Sequence, residues 1–287
     1  MLESISLKAN AAKSCVIVSG LNEASVKARD DLNSNKPCLH SQSILLAHSD
    51  AYLGFIVSLE GFHDSVKLTS ESRINKGWAK STSIKAVINS PQLKHFGWFR
   101  AAKVLIQSTL PAVLSYSCEN WIGCHNYIID KIEKSFKAMV YSILEIPEKT
   151  KYSAILLETG LLRMKFFIHQ LQISYINKIM WEYPDIHVRK TLIEERNVIG
   201  QNSTLAVIDN IAALYNLPPV SQNHLDKTFI KLQVKVAHDK LVWTECYLSS
   251  IVKSRPCFRI RDNESKQSLT ACLLTFCNQL GSLFIKF

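Results

Sequence analysis

The sequence is poor in glycine and proline, the two residues that most often interrupt regular secondary structure. Its 287 residues include 9 glycines and 8 prolines, about 3% each, whereas average proteins contain roughly 5–7% of either. This shortage excludes collagen-like and low-complexity chains. It also favours a helical fold over an all-β fold, because the many turns of β proteins need these residues. The hydrophobic content of 47% excludes a wholly disordered chain.

Membrane-length hydrophobic runs and paired cysteines are also lacking. A long uncharged stretch, residues 104–118, has only 15 residues, fewer than the roughly 18–20 that a membrane-spanning helix needs. The first 20 residues contain Glu3, Lys8 and Lys13, so they lack the uninterrupted apolar core of a signal peptide. The eight cysteines form no C-x-x-C pair, which favours reduced thiols. We therefore expect an intracellular protein, nuclear or cytoplasmic, with no membrane partner.

The hydrophobic pattern changes along the chain from that of strands to that of helices. Two β-rich runs, residues 44–47 and 52–59, flank turn-forming residues at 48–50, and together they predict a hairpin. From Leu68 onward, apolar residues recur at helical spacing. We therefore predict a mainly α-helical fold with a small N-terminal β element, in which a β-hairpin precedes a helical array.

Two boundaries divide this predicted fold. The hairpin ends near Gly61, and the segment 216–221, with two adjacent prolines, has the composition of a linker. We expect three regions, namely a hairpin-containing segment over residues 1–62, a helical region over residues 63–215 and a mostly helical C-terminal extension over residues 222–287.

Positive charge is concentrated in one part of the chain. The net charge is +10, and residues 66–103 carry eight basic residues against the single acid Glu71, a local net charge of +7. A local positive field is typical of proteins that bind polyanions, although many basic stretches are only solvated helix faces. Aromatic residues are interleaved with these cations and can stack on bases or pack in a core. The basic residues are Lys67, Arg73, Lys76, Lys80, Lys85, Lys94, Arg100 and Lys103.

Catalytic and metal-binding motifs are not recognisable. The glycines form no phosphate-binding loop, and no Ser/His/Asp or Cys/His set is apparent. Cys118, Cys124 and His125 are three potential zinc ligands in eight residues, but their spacing differs from that of a standard zinc knuckle. We therefore expect no metal site.

Four segments, in order, resemble elements of the non-LTR (LINE-type) retrotransposon reverse transcriptases. Tyr52-Leu53-Gly54 is similar to the Y/F-L-G element of that family. Residues 102–121 resemble its basic helix, Pro-x-Leu-x-Tyr core and Glu-x-Trp. Residues 143–161 resemble its I-L-G-x-P … A-L-L-x-E-x-G-L stretch. Residues 19–27 resemble its S-G-L-x-x-N-x-x-K element, with Ala24 in place of the asparagine. An alternative match for that last element, residues 32–36, lies closer to Tyr52 than the family spacing.

The resemblance implies that the chain is the C-terminal part of such an enzyme, with the end of the palm, the thumb over residues 63–215 and part of the region beyond. Family polymerases hold two Mg²⁺ ions with palm aspartates, including an aromatic-Ala-Asp-Asp hairpin that would precede residue 1. The pair Asp30-Asp31 has no flanking apolar strand and lies too close to Tyr52 to be that hairpin. We therefore expect no catalytic residue, no bound cofactor and no polymerase activity in this chain alone.

The resemblance also implies roles for particular residues. Lys27 would match the lysine that the family places near the incoming triphosphate, although without the palm it has nothing to protonate. Tyr52, Leu53 and Gly54 would form a primer-grip-like turn. The basic window would contact the phosphates of a template–primer duplex, so RNA and DNA are the expected partners. The nucleic-acid-binding residues would be Arg73, Lys76, Lys80, Lys85, Lys94, Arg100 and Lys103.

Two other interpretations remain open. The chain fits a helical interaction or scaffold protein whose basic surface is incidental. It also fits a decayed open reading frame with no selected function.

Overall fold

The computed structural model describes residues 15–18, 22–39, 42–91, 98–124, 126–183 and 187–248. Within these ranges the chain is mostly helical, and its few strands are short and confined to the N-terminal part. The predicted mainly α-helical fold with a small N-terminal β element is therefore confirmed. The chain divides into two compact units, residues 1–243 and residues 244–287. The elements that concern function lie in the first unit.

The β element consists of three pairs of short strands. The first pair is parallel, and the other two are antiparallel. The longest pair is a hairpin that directly precedes a long helix. In chain order the strands are β1 (Cys15–Val16), β2 (Cys38–Leu39), β3 (Gln42–Ser43), β4 (Leu45–Leu46), β5 (Ser49–Tyr52) and β6 (Phe55–Ser58), with the pairs β1–β4, β2–β3 and β5–β6.

The β5–β6 hairpin turns at Leu53 and Gly54, whereas the turn-forming residues predicted a turn at 48–50. Leu53 has a φ of 47° and Gly54 has a φ of 83°, and positive φ at both central residues is the requirement of a type I′ hairpin turn. Asp50, which was expected in the turn, pairs with Val57 instead. The sequence therefore predicted a hairpin before the long helix, but it placed the turn too early and chose the wrong first strand, because residues 45–46 pair in parallel with β1 instead.

Helices make up most of the rest of the described chain. Pro111 lies inside one of them, and that helix continues to Leu114. Short 3₁₀ turns over Cys118–Trp121 and Gly200–Asn202 connect helices. The helices are α1 (Glu23–Ser34), α2 (Phe62–Ile88), α3 (Trp98–Leu114), α4 (Asn126–Leu144), α5 (Tyr152–Thr159), α6 (Met164–Trp181), α7 (His187–Ile199), α8 (Thr204–Ala213) and α9 (Lys227–Leu248).

The first part of the core forms where α2 packs against α3 and α4. The closest approach is at Gly77 of α2, where an added Cβ would lie 2.8 Å from Cδ2 of Leu114 and 2.9 Å from Cε of Met139. Such distances are shorter than real Cβ contacts, so the three helices approach one another because residue 77 has no side chain. This packing fixes the middle of α2 against the core.

A second group of buried apolar residues lies among α6, α8, the loop after α8 and the start of α9. The segment 216–221, predicted as a linker, is packed into this group. Val220 is fully buried, and the N–H and hydroxyl of Ser221 both donate hydrogen bonds to the Asp209 carboxylate. The two prolines of this segment therefore belong to an ordered loop of the core.

Candidate nucleic-acid interface

Helix α2 covers the outer edge of strand β6 with polar side chains. Oγ of Ser65 accepts a hydrogen bond from the Ser58 N–H at 2.8 Å, and Oγ1 of Thr69 accepts one from the Ile56 N–H at 2.8 Å. Four helical residues rise about 6 Å, and two strand residues rise about 6.6 Å. Because these spacings are similar, a helical stripe with a four-residue period can satisfy alternate groups along a strand edge.

Arg73 continues this stripe and holds the turn. Its Nη2 donates a hydrogen bond to the Gly54 carbonyl oxygen at 2.5 Å, and its guanidinium carbon lies 4.1 Å from the centroid of the Tyr116 ring. The arginine is only 7% exposed, and this burial lowers the pKa of its guanidinium. An added Cβ at Gly54 would collide with Nη2 of Arg73 and lie 2.7 Å from the Tyr116 ring. The turn therefore needs glycine both for its φ and for its space.

The tip of the hairpin is exposed, although its side chains are large and apolar. Tyr52 is 70% exposed and Leu53 is 76% exposed, and Tyr116, which adjoins the turn, is 50% exposed. Hydrophobic groups that remain in solvent beside a firmly held backbone are typical of binding surfaces. We call Tyr52, Leu53 and Tyr116 the tip surface.

Lys76 and Lys80 extend the same side of α2 beyond the hairpin. They follow Arg73 by three and seven residues, so the helical period places them on its side of the helix. Both are exposed, and neither forms an ion pair with another described residue. We call these two lysines the open lysine pair.

The opposite side of α2 carries charges that are paired. Nζ of Lys131 lies 2.8 Å from Oε1 of Glu71, and Nζ of Lys85 lies 3.6 Å from Oε1 of Glu145. Lys131 belongs to α4, and Glu145 is the first residue after that helix. Within the predicted basic window, Lys85 is thus paired with an acid, whereas the open lysine pair is not.

The other predicted cations lie apart from this side of α2. Lys103 on α3 is partly buried close to Gly160, and its charge opposes the rise in the pKa of the Glu158 carboxyl that burial causes. Arg100 is exposed at the start of α3. Lys94 lies outside the described residues.

Lys27 and the acidic pair Asp30-Asp31 lie together on α1. All three are exposed, and the two aspartates are helical rather than part of a turn. In the described part of the chain, no three His, Cys, Asp or Glu side chains are arranged to hold a metal ion. The lysine that the resemblance places near a triphosphate is therefore a surface residue of this helix.

The two cysteines considered as zinc ligands lie in surroundings that favour the protonated thiol. Burial raises the pKa of the Cys118 thiol, and burial raises the pKa of Cys124 to about 11. Zinc binds thiolates, so these environments disfavour coordination. His125, the third candidate, lies outside the described residues.

Ser65 and Thr69 were missing from the predicted site. The available signal was their spacing with Arg73, because three hydrogen-bonding side chains at four-residue intervals interrupt the apolar face of a long helix. Serine and threonine are common on solvated helix faces as well, so this spacing alone did not distinguish a covered strand edge from solvent.

No helix of the described ranges combines the length and the apolar character that crossing a membrane requires. Comparison of the chain with protein-family models, curated proteins and solved structures finds no match.

Proposed function

We propose that this chain binds a template–primer duplex of RNA and DNA, as the thumb region and adjoining hairpin of a non-LTR retrotransposon reverse transcriptase would. The observation that supports this most is the meeting of separate motif elements around one turn. Gly54 belongs to the first resembling segment and Tyr116 to the second, and Arg73 of the basic window contacts both. Residues far apart in sequence thus surround one exposed tip.

The two parts of the surface would bind different parts of the nucleic acid. The open lysine pair would contact backbone phosphates, which hold a duplex without reading its sequence. Tyr52 and Leu53 would pack against a base or sugar at the end of the primer, because aromatic rings stack on bases of any sequence. A positive stripe beside an aromatic tip is therefore suited to a duplex terminus.

The salt dependence of binding tests this proposal. The affinity of an RNA–DNA hybrid is measured by fluorescence anisotropy over a series of salt concentrations for wild type and for K76Q/K80Q. We expect the double variant to bind more weakly, with a log–log salt slope lower by about 2, since each lost phosphate contact lowers it by about 1.

A matched control removes the same number of positive charges from two ion pairs, one lysine on α2 and the other on α4. In K85Q/K131Q the replaced lysines face Glu145 and Glu71, so we expect the wild-type salt slope. Equal losses in the two double variants would mean that only net charge matters. Binding by wild type that does not depend on salt would contradict the proposal directly.

A second candidate function is that of a helical interaction protein. Phe229, Leu232 and Val236 are exposed and spaced three and four residues apart on α9, so they form an apolar stripe on one side of that helix. Such a protein would bind hybrid weakly, and K76Q/K80Q and K85Q/K131Q would lower that affinity equally. The same titration therefore separates the two candidates.

A further inference from the structure

We infer that Arg73 is a positioning residue, which fixes the Leu53-Gly54 turn beside the open lysine pair and does not itself contact phosphate. The effect on hybrid binding rests on the proposed function, whereas the effect on the hairpin does not. Arg73 was first expected among the phosphate contacts because its charge lies in the basic window. Its surroundings favour the other role.

One donor of the guanidinium and its flat face are already engaged within the protein. Nη2 bonds to the Gly54 carbonyl while the planar group lies over the Tyr116 ring. Only arginine combines a planar donor group with a charge that stacks on an aromatic ring. The arginine is also only 7% exposed, so little of its side chain is accessible to a phosphate.

The hydrogen bonds along α2 hold different parts of the hairpin. Ser65 and Thr69 bond to N–H groups within β6, whereas Arg73 bonds to the turn itself. Leu53 holds a φ of 47°, which is unfavourable for a residue with a side chain and persists only where the surroundings impose it. The bond to Gly54 supplies that constraint next to Leu53.

Tyr116 extends the constraint to a third element. It follows α3, and it stacks on Arg73 while adjoining Gly54. Arg73 therefore joins the hairpin, α2 and the segment after α3 at one point. The tip surface is fixed relative to the open lysine pair because both are attached to this junction.

Two variants separate positioning from phosphate contact. R73K keeps the positive charge but loses the planar group, and R73Q loses both. If Arg73 positions the turn, both variants lower the affinity for an RNA–DNA hybrid by a similar factor, about fivefold for the loss of one hydrogen bond, and the salt slope stays at its wild-type value. If R73K binds as tightly as wild type and R73Q lowers the slope by about 1, Arg73 contacts phosphate and the inference is wrong.

Hydrogen exchange of the free protein tests the hairpin without any nucleic acid. We expect R73K and R73Q to speed amide exchange in residues 49–58 while α4 keeps its wild-type protection, because only the hairpin loses its anchor. Unchanged exchange in the hairpin would overturn the inference. If wild type fails to bind hybrid, the proposed function fails, and exchange alone then decides the role of Arg73.

A third variant covers the case in which Arg73 substitutions unfold the protein. Loss of protection in α4 as well as in the hairpin would indicate global unfolding. Y116L then serves as the test, because Tyr116 is half exposed and its replacement removes the stacked ring while leaving Arg73 in place. Faster exchange confined to residues 49–58 supports the inference, and wild-type exchange contradicts it.

Discussion

Helices α2 and α6 both use polar side chains to bond backbone groups of other segments, but their patterns differ. In α2, Ser65, Thr69 and Arg73 occur every fourth residue and bond to alternate residues of a strand and its turn. The partner is regular, and the spacing on the helix is therefore regular.

In α6 the partners are irregular segments, and the spacing is irregular too. The Gln172 amide donates a hydrogen bond to the Cys118 carbonyl oxygen. The Trp181 indole N–H donates one to the Val220 carbonyl oxygen. The Asn177 amide makes two hydrogen bonds to Leu225, each of 2.9 Å: its NH₂ donates to the Leu225 carbonyl oxygen, and its oxygen accepts from the Leu225 N–H.

The comparison shows how the two helices differ in what their polar side chains cover. Beyond Arg73 the next four-residue step of α2 reaches Gly77, which packs against α3 and α4, whereas Lys76 and Lys80, on the same side as Arg73, are exposed. The polar residues of α6 instead end on loops of its own core. Four substitutions test this difference, from the largest expected effect to the smallest.

Replacing Asn177 by alanine removes both hydrogen bonds to Leu225 and leaves two buried backbone groups unpaired. We expect the free energy of unfolding to fall by about 2–4 kcal/mol, measured by urea denaturation, with hybrid affinity unchanged. Asn75→Ala on the exposed side of α2 is the matched control, and helix propensity predicts a change below about 0.7 kcal/mol. Similar values for the two variants would show that α6 does not hold its loop through Asn177.

His169 of α6 should make stability depend on pH. Burial lowers its pKa from 6.5 to about 4, and its Nδ1 lies 2.6 Å from the Tyr215 hydroxyl. The unfolded chain then binds more protons between these values, so stability should fall as the pH drops from about 6.5 to about 4. We expect a loss on the order of 2–3 kcal/mol across this range for wild type and a smaller one for His169→Gln. If the free energy of unfolding of wild type and of His169→Gln depended equally on pH, His169 would not be the source of this dependence.

Replacing Thr69 by valine leaves the Ile56 N–H without its acceptor at nearly constant volume. We expect a loss of about 1–2 kcal/mol, with faster amide exchange confined to the β5–β6 hairpin. Thr82→Val, on the exposed part of the same helix, controls for the helix propensity of valine. If exchange rises throughout α2, the hairpin is not held through this side chain.

Replacing Glu71 by glutamine breaks the ion pair with Lys131 on the paired side of α2. Both side chains are partly exposed, so we expect a change below about 1 kcal/mol that disappears at high salt. Urea denaturation at low and high salt measures it. A larger effect that persists at high salt would mean that the pair has a structural role beyond neutralising a lysine.

The mainly helical fold and the presence of an N-terminal hairpin followed from hydrophobic period and turn residues, but the first strand of the hairpin and the position of its turn did not. Ser49 and Asp50 are typical turn residues, whereas Leu53 rarely adopts a positive φ. The actual turn depends on Arg73, which lies 19 residues from Gly54. A contact of that kind is not visible in local sequence.

The sequence located the basic window but did not show which of its cations are paired. Its net charge is a sum over residues 66–103, and a sum does not show which cations have partners. Lys131 lies 60 residues from Glu71, so the pairing that separates the two sides of α2 appears only after the chain folds. The open lysine pair was predicted together with Lys85, which is paired, and with Arg73 and Lys103, which are buried or partly buried.

The cover that α2 places over strand β6 has a consequence for association between chains. An uncovered strand edge can add a strand from another molecule and so begin an aggregate. Because Ser65 and Thr69 already occupy the N–H groups of Ser58 and Ile56, the outer edge of β6 is closed to such addition. Substitutions that free this edge therefore threaten solubility as well as stability, even where the surface that would bind nucleic acid is untouched.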